Sequence, residues 1–201
     1  MSQIKLLHSG GNGVILAAPS SNPAADRTLT LPGDADGTIA TTANAGKILQ
    51  VIQTVKKDRT TIQSTTLVDI AGMSVTITPS SSSNKVLIRY CVSAFTNNQY
   101  WSMRLLRGSD STIFIGDQNP SATSQNRGSF GSYMSSYVDG RSVTQELLDS
   151  PNTTSATTYK LQAHSPYSSS YIIGINSSPT LDNYTYMTNC VSTITAMEVA
   201  A

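Results

Sequence analysis

Two histidines, two cysteines and 12 acidic residues are all that this chain of 201 residues offers to polar catalysis. His8 lies in a Gly-rich opening stretch and His164 ends a strand-like run. An acyl-transfer triad needs such an imidazole between a hydroxyl and a carboxylate. His164 with a serine and Asp117, Asp139 or Asp182 is one set on paper, but among 30 serines such a set carries little information. The expectation is no enzyme and no catalytic residue. No His or Cys pair has metal-ligand spacing, and a structural zinc would draw about four ligands from close pairs, so neither metal nor cofactor is expected. Paired carboxylates for glycoside hydrolysis are poor candidates as well, because there are only 12 acids and several of them, Asp34, Asp36, Asp117 and Asp139, sit beside turn Gly, where Asp caps the turn. Asn152, Asn176 and Asn183 open Asn-x-Ser/Thr triplets, which chance supplies in a chain so rich in hydroxyl residues.

Recognition fits the residue types better. Segments Asn97 to Trp101, Gly116 to Arg127, Ser165 to Tyr171 and Ser177 to Tyr186 mix Tyr, Ser, Asn and Gly. That mixture joins rigid amphipathic contact area to adaptable hydrogen bonding. Tyr100, Trp101, Tyr167, Tyr184 and Tyr186 are candidates to stack on sugar rings. The plainer reading is that these rings close the ends of a sheet structure or fill a subunit contact. Arg89, Arg104 and Arg107 fall within or at the ends of strand-like runs, where charge either lines a wet subunit contact or blunts a sheet edge. Arg89, whose strand reads as central, is assigned to the contact.

The elements that must carry these residues are strands. There are 30 Ser and 25 Thr against 12% charged residues, a composition of strands and loops, since Thr suits strands and Ser competes with helices for backbone hydrogen bonds. Period-two alternation recurs from Lys47 onward. Met73, Val75 and Ile77 alternate with Ser74, Thr76 and Thr78, and the run stops at Pro79 and the Ser80 to Ser83 turn. Lys85 to Phe95 places Val86, Ile88, Tyr90 and Val92 on one face and Leu87, Arg89, Cys91 and Phe95 on the other. Both faces are partly apolar, which marks a central strand or a subunit contact. Further strands are expected at Leu49 to Val55, Thr61 to Val68, Trp101 to Arg107, Thr112 to Ile115, Ser129 to Val138, Val143 to Leu148, Thr157 to His164, Tyr171 to Asn176 and Cys190 to Val199. Only Gln145 to Asp149 admits a helical turn. About ten short strands spaced by Gly, Pro, Asn, Asp and Ser predict an all-β domain over residues 47–201, an antiparallel β-sandwich or jelly roll. Cys91 and Cys190 sit inside strand-like runs and read as free core thiols, a disulfide staying open if those strands are neighbours.

Residues 1–46 differ. Short apolar pieces, Val14-Ile15-Leu16-Ala17 and Arg27-Thr28-Leu29-Thr30-Leu31, stand between turn signals at Gly10-Gly11-Asn12-Gly13, Pro19, Pro23, Pro32-Gly33 and Asp36-Gly37. So few large apolar groups cannot offset the entropy of ordering, so the segment needs partner chains or a docking surface. Fully extended it spans up to about 150 Å, which suits an arm or thin shaft. Val14, Leu16, Leu29 and Leu31 are the expected contacts. The net charge of +1 favours neither nucleic acid nor anionic membrane. No apolar stretch approaches a membrane span, and the start, MSQIKLLHSGGNG, lacks the apolar core of a signal peptide, so a soluble protein made in the cytosol is expected.

Gly13 to Pro19, Ala24-Ala25-Asp26-Arg27-Thr28-Leu29-Thr30-Leu31-Pro32 and Asp36-Gly37-Thr38 resemble a pattern of tailed-phage fibre and virion proteins, in which a short strand, a TLTLP strand and a DGT turn lead into a distal domain. Lys47-Ile48-Leu49-Gln50-Val51, Ser74 to Pro79, Leu148-Asp149-Ser150-Pro151 and Thr193 to Val199 are similar to small structural proteins of marine and cyanobacterial phages. The resemblance implies a β-rich homotrimer on the virion exterior, its amino-terminal arm facing the particle and other virion proteins and its carboxy-terminal domain facing out. It carries over no binding residue, and a host surface polysaccharide is the expected ligand only of the candidate aromatic residues. Capsid decoration, as a cement or head-fibre protein, is the alternative. Cyclic assembly would let three weak arms share apolar surface that none buries alone.

Overall fold

The computed structural model describes residues 3–7, 10–11, 13–17, 47–96, 100–108, 111–114, 128–134, 140–178, 180, 185 and 188–201, with 3–7, 13–17 and 111–114 as backbone only. The chain divides into two compact units, Met1–Ala45 and Gly46–Ala201. In the first, Gln3–Leu7 (β1) and Gly13–Ala17 (β2) form an antiparallel hairpin registered from Gln3↔Ala17 to Leu7↔Gly13. Its turn carries Gly11 at φ +93°, a region that side chains with a Cβ avoid. Leu29, Leu31 and the DGT turn lie outside the described residues, and Val14 and Leu16 are placed on β2 by backbone alone.

The second unit contains Ile48–Lys56 (β3), Thr60–Ile62 (β4), Val68–Ile77 (β5), Lys85–Thr96 (β6), Tyr100–Arg107 (β7), Ser111–Phe114 (β8), Phe130–Tyr133 (β9), Gly140–Asp149 (β10), Thr157–His164 (β11), Ile173–Ile175 (β12) and Ser192–Val199 (β13). Among the described residues there is no helix. β6 is paired along one edge by β10 and along the other by β13 and then β12, placed end to end. β3 and β4 continue outward from β13 and β12. The first sheet is therefore four strands wide, in the order β10, β6, β13/β12, β3/β4. The second runs β5, β11, β7, with β8 and β9 sharing the far edge of β7. Every pairing is antiparallel.

Alternation decides which side chains meet. Val86, Ile88, Tyr90, Val92 and Ala94 of β6 join Ile194 and Ala196 of β13, and Met73, Val75, Ile77, Met103, Leu105, Tyr159 and Leu161 face them from the second sheet. All belong to one core cluster, a sandwich-like arrangement. Each such large apolar side chain withdrawn from water contributes ~1.5–3 kcal/mol.

Three details depart from the sequence reading. The run expected from Thr61 to Val68 breaks after Ile62, because Ser64 Oγ donates to the Thr66 carbonyl (2.7 Å) and accepts from the Thr66 amide (3.1 Å), turning the chain from one sheet to the other. Gln145 to Asp149 is strand, since β10 pairs with β6 without interruption from Gly140↔Phe95 to Asp149↔Val86. Cys91 and Cys190 are free but half-buried rather than core: Cys91 points away from the core on β6 and Cys190 precedes β13.

Buried polar groups fasten the strands. Glu198 of β13, 1% exposed, accepts from the Ser80 amide and hydroxyl (2.7 Å each), Asn84 Nδ2 (2.6 Å) and Gln50 Nε2 (2.6 Å). Burial opposes its ionisation, but the hydrogen bonds from Asn84, Gln50 and Ser80 outweigh that and bring its pKa down to about 2. Asn176, at φ +66°, donates to the Lys56 and Asp58 carbonyls (2.9 and 3.0 Å) and accepts from Ser192 Oγ (2.6 Å). Its complete burial also removes it as a glycan acceptor.

Candidate functional site

The second sheet is polar outward across β5, β11 and the Arg104 stretch of β7. There Thr76 and Thr158 hydroxyls lie 2.8 Å apart, Arg104 donates twice to Gln162 Oε1 (3.2 and 3.1 Å), and Lys160 and Gln162 donate to Asp69 (2.9 and 2.7 Å). The bonds from Lys160 and then Gln162 hold the Asp69 carboxyl below its ordinary range. Such a face is satisfied in water.

The outer face of the first sheet is different. Register places Val51 beside Met197, Met197 beside Leu87 and Leu87 beside Leu148, so one apolar row crosses all four strands. Its ends are open, Val51 at 58% and Leu148 at 49% exposure, with Leu49 and Val55 exposed on the same side of β3. The next row is Gln53, Thr195, Arg89 and Glu146, in which Arg89 Nε lies 3.3 Å from Glu146 Oε1 with both side chains largely exposed. Beyond it come Val55, Thr193, Cys91 and Thr144. Arg89 thus stands on this face, whereas Arg107 is bound within the fold, its Nη1 2.8 Å from both carboxylate oxygens of Asp149. Arg104 is spent on Gln162.

An aromatic cleft of about 430 Å³ opens beside the second sheet, lined by Tyr100, Trp101, Ser102, Gly131, Ser132, Tyr133, Pro166 and Tyr167. Pairing of β7 with β9 sets Tyr100 opposite Tyr133, their ring centroids 4.8 Å apart and planes inclined by 49°. The facing wall is the turn after β11. Ser165 anchors it through its amide to the Ser64 carbonyl (2.9 Å) and through its hydroxyl to the Tyr100 carbonyl (3.2 Å). Tyr171 N and Ser170 N close the turn on Ser168, and Tyr167 stands out from it at 74% exposure, 6.1 Å from the Tyr171 ring.

Of the candidate stacking residues, Tyr100 and Tyr167 are brought together here, and Tyr184 and Tyr186 lie outside the described residues. Trp101 is corrected: it is 1% exposed and packs on Phe130 at 5.2 Å, so its ring belongs to the core and offers no face to a ligand. Strand parity explains this, since Tyr100 and Trp101 are consecutive on β7 and must point to opposite faces. Tyr133 and Gly131 escaped the sequence reading as site residues, whereas Pro166 lies within the Ser165 to Tyr171 segment that it singled out. The apolar row escaped it except for Leu87, whose strand showed apolar residues on both faces. His164 is buried, and its Nδ1–H donates to the Thr65 carbonyl (2.8 Å), a loop-fastening role. His8, Asp117, Asp139 and Asp182 are not among the described residues, and within those residues no three His, Cys, Asp or Glu side chains converge as a metal site. No helix among them is long and apolar enough to cross a membrane. No protein-family model matches the chain, and no curated protein is significantly similar to it.

Proposed function

We propose that this chain is a non-enzymatic structural protein of a virus exterior, a homotrimeric fibre or tail-fibre component whose outer domain contacts the host surface. The observation that carries the assembly part is the contrast between the two outer sheet faces. The outward side chains of Asp69, Thr76, Arg104, Thr158, Lys160 and Gln162 on the second sheet bond one another and need no cover, while an apolar row with Val51 and Leu148 half open on the first is the pattern of a subunit contact. The Arg89–Glu146 row beside it supplies both signs of charge, which lets the same surface complement another copy. The number three and the virion setting rest on the resemblance of the opening segments to phage fibre proteins, with the arm as the attachment to other virion proteins.

Strand order supports a jelly-roll reading of the outer domain. Taking β3, β5, β6, β7, β8/β9, β10, β11 and β13 as eight successive strands, the two sheets read 1-8-3-6 and 2-7-4-5, the winding of a jelly roll, an architecture found in viral capsid and lectin domains. That likeness is one of fold alone.

Sedimentation and light scattering test the assembly. The protein is expected at three times its chain mass, and Leu148→Asp is expected to weaken association by more than ~100-fold, because it places a charge inside the contact. Cys91, on the same face, should react slowly with a thiol reagent in the assembly and quickly in Leu148→Asp. A monomer with equally reactive Cys91 in both proteins rejects the contact. Copy number on intact particles then separates fibre, present in tens, from capsid decoration, present in hundreds.

A further inference from the structure

We infer that the cleft between β7, β9 and the turn after β11 binds a neutral saccharide. This rests on the surface-contact reading above and deepens it by naming the ligand class and the residues that take it.

The lining decides the chemistry. Tyr100, Tyr133 and Tyr167 present exposed rings, and Tyr100 and Tyr133 are tilted by 49° rather than stacked flat. Each therefore keeps part of its π face for a ligand. The apolar C–H face of a pyranose packs on such a ring, as other flat amphipathic groups do. Ser102 shares the Tyr100 face of β7, and the phenol groups of Tyr100 and Tyr167 supply hydroxyls that both donate and accept. Sugar hydroxyls do the same, whereas a polyproline segment offers acceptors alone. Among the described residues no charged side chain lines the cleft, which disfavours phosphates, uronic acids and sialic acids: an anion there would be partly desolvated without a counter-charge. The volume lies within the range of small-ligand sites.

The geometry is also set before binding. The far wall hangs from Ser165, which is 1% exposed and bonded to both the Ser64 and Tyr100 backbones, so Tyr167 is delivered over β7 without ordering a loop. The cleft belongs to the second sheet, and assembly through the outer face of the first leaves it open. One weak site per subunit then gains through multivalency on a repetitive surface.

Two variants test the site without threatening the fold. Tyr167→Ala removes a ring that is mostly in solvent. Gly131→Leu fills the cleft floor, where a Cβ would meet only the Trp101 carbonyl oxygen at 3.7 Å and Ser102 Cβ at 3.9 Å, ordinary contacts. Saturation-transfer NMR on the full chain with lactose, maltose, cellobiose and mannobiose, beside sialyllactose, galacturonate and a decaproline peptide, should show millimolar binding of at least one neutral disaccharide. Each variant should weaken that binding at least tenfold and leave the sedimentation profile unchanged. Binding that ignores both variants, preference for the acidic sugars, capture of decaproline alone, or no neutral sugar bound would each overturn the inference. Leu148→Asp should keep monovalent sugar binding while losing assembly, so failure of the cleft and failure of the trimer are read separately.

Discussion

Replacing Glu198 with glutamine removes one negative charge from a place where four donors converge. Gln50 Nε2, Asn84 Nδ2, the Ser80 amide and the Ser80 hydroxyl all aim at the carboxylate, and a glutamine NH₂ must face at least one of them donor to donor. With the folded carboxyl at about 2 against an ordinary 4.5, the ionised side chain contributes ~3 kcal/mol to folding at neutral pH. The folded pKa is depressed, so this contribution is complete above about pH 4.5 and is lost as the pH falls toward 2. Wild type should exceed Glu198→Gln by ~3 kcal/mol at pH 7 but by only ~1 kcal/mol at pH 3. For a unit of this size the neutral-pH gap corresponds to a Tm lower by ~6–12 °C. Urea unfolding followed by emission of Trp101, the one tryptophan and fully buried, measures both gaps at a fixed protein concentration, since assembly makes stability concentration-dependent. A gap that stays constant between pH 7 and pH 3, or no gap at pH 7, would refute the account of the clamp.

Asn176→Ala should destabilise by ~3 kcal/mol, because it strands the Lys56 and Asp58 carbonyls and the Ser192 hydroxyl and leaves the Cβ at φ +66° without the side-chain bonds that offset its strain. Asn176→Gly, which loses the same bonds but fits the backbone, should cost ~1 kcal/mol less in the same urea assay. Burial raises the phenol pKa of Tyr90, and burial together with the bond to the Asp149 carboxylate (2.7 Å) raises that of Tyr159. Ultraviolet titration should therefore find both protonated well above pH 10 while folded; stability, full below pH 10, should fall as the pH climbs beyond it and the unfolded phenols ionise.

The strands of the outer domain were legible because a half-buried strand writes its period into the sequence. β6 is the clearest instance: Val86, Ile88, Tyr90 and Val92 face the core, and Leu87, Arg89 and Cys91 face away, as alternation requires. β11 begins and ends at the expected residues, Thr157 and His164. The break between Ile62 and Val68 was not legible, because Ser64 and Thr66 suit a strand as well as the turn that their hydroxyls close. Tyr100 and Tyr167 could be named as exposed aromatics from their Ser- and Asn-rich surroundings. Trp101 was misread with them because parity fixes opposite faces for neighbours but does not say which face is the core.

The sequence by itself determined that this protein is built of short antiparallel strands, and in runs such as β5 and β6 it carried which residues share a face. Only the tertiary structure decided which strands lie side by side, and every candidate surface depends on that. Val51, Leu87, Leu148 and Met197 lie up to 146 positions apart along the chain (197 minus 51), and become one apolar row only through the register of β3, β13, β6 and β10. Tyr100 and Tyr133 meet through β7 and β9, and Tyr167 joins them through a serine bonded across the sheet edge. Local alternation is a property of a strand's own residues, whereas register is a choice among many pairings of similar strands. It is settled by burying all the inner faces in one core at once.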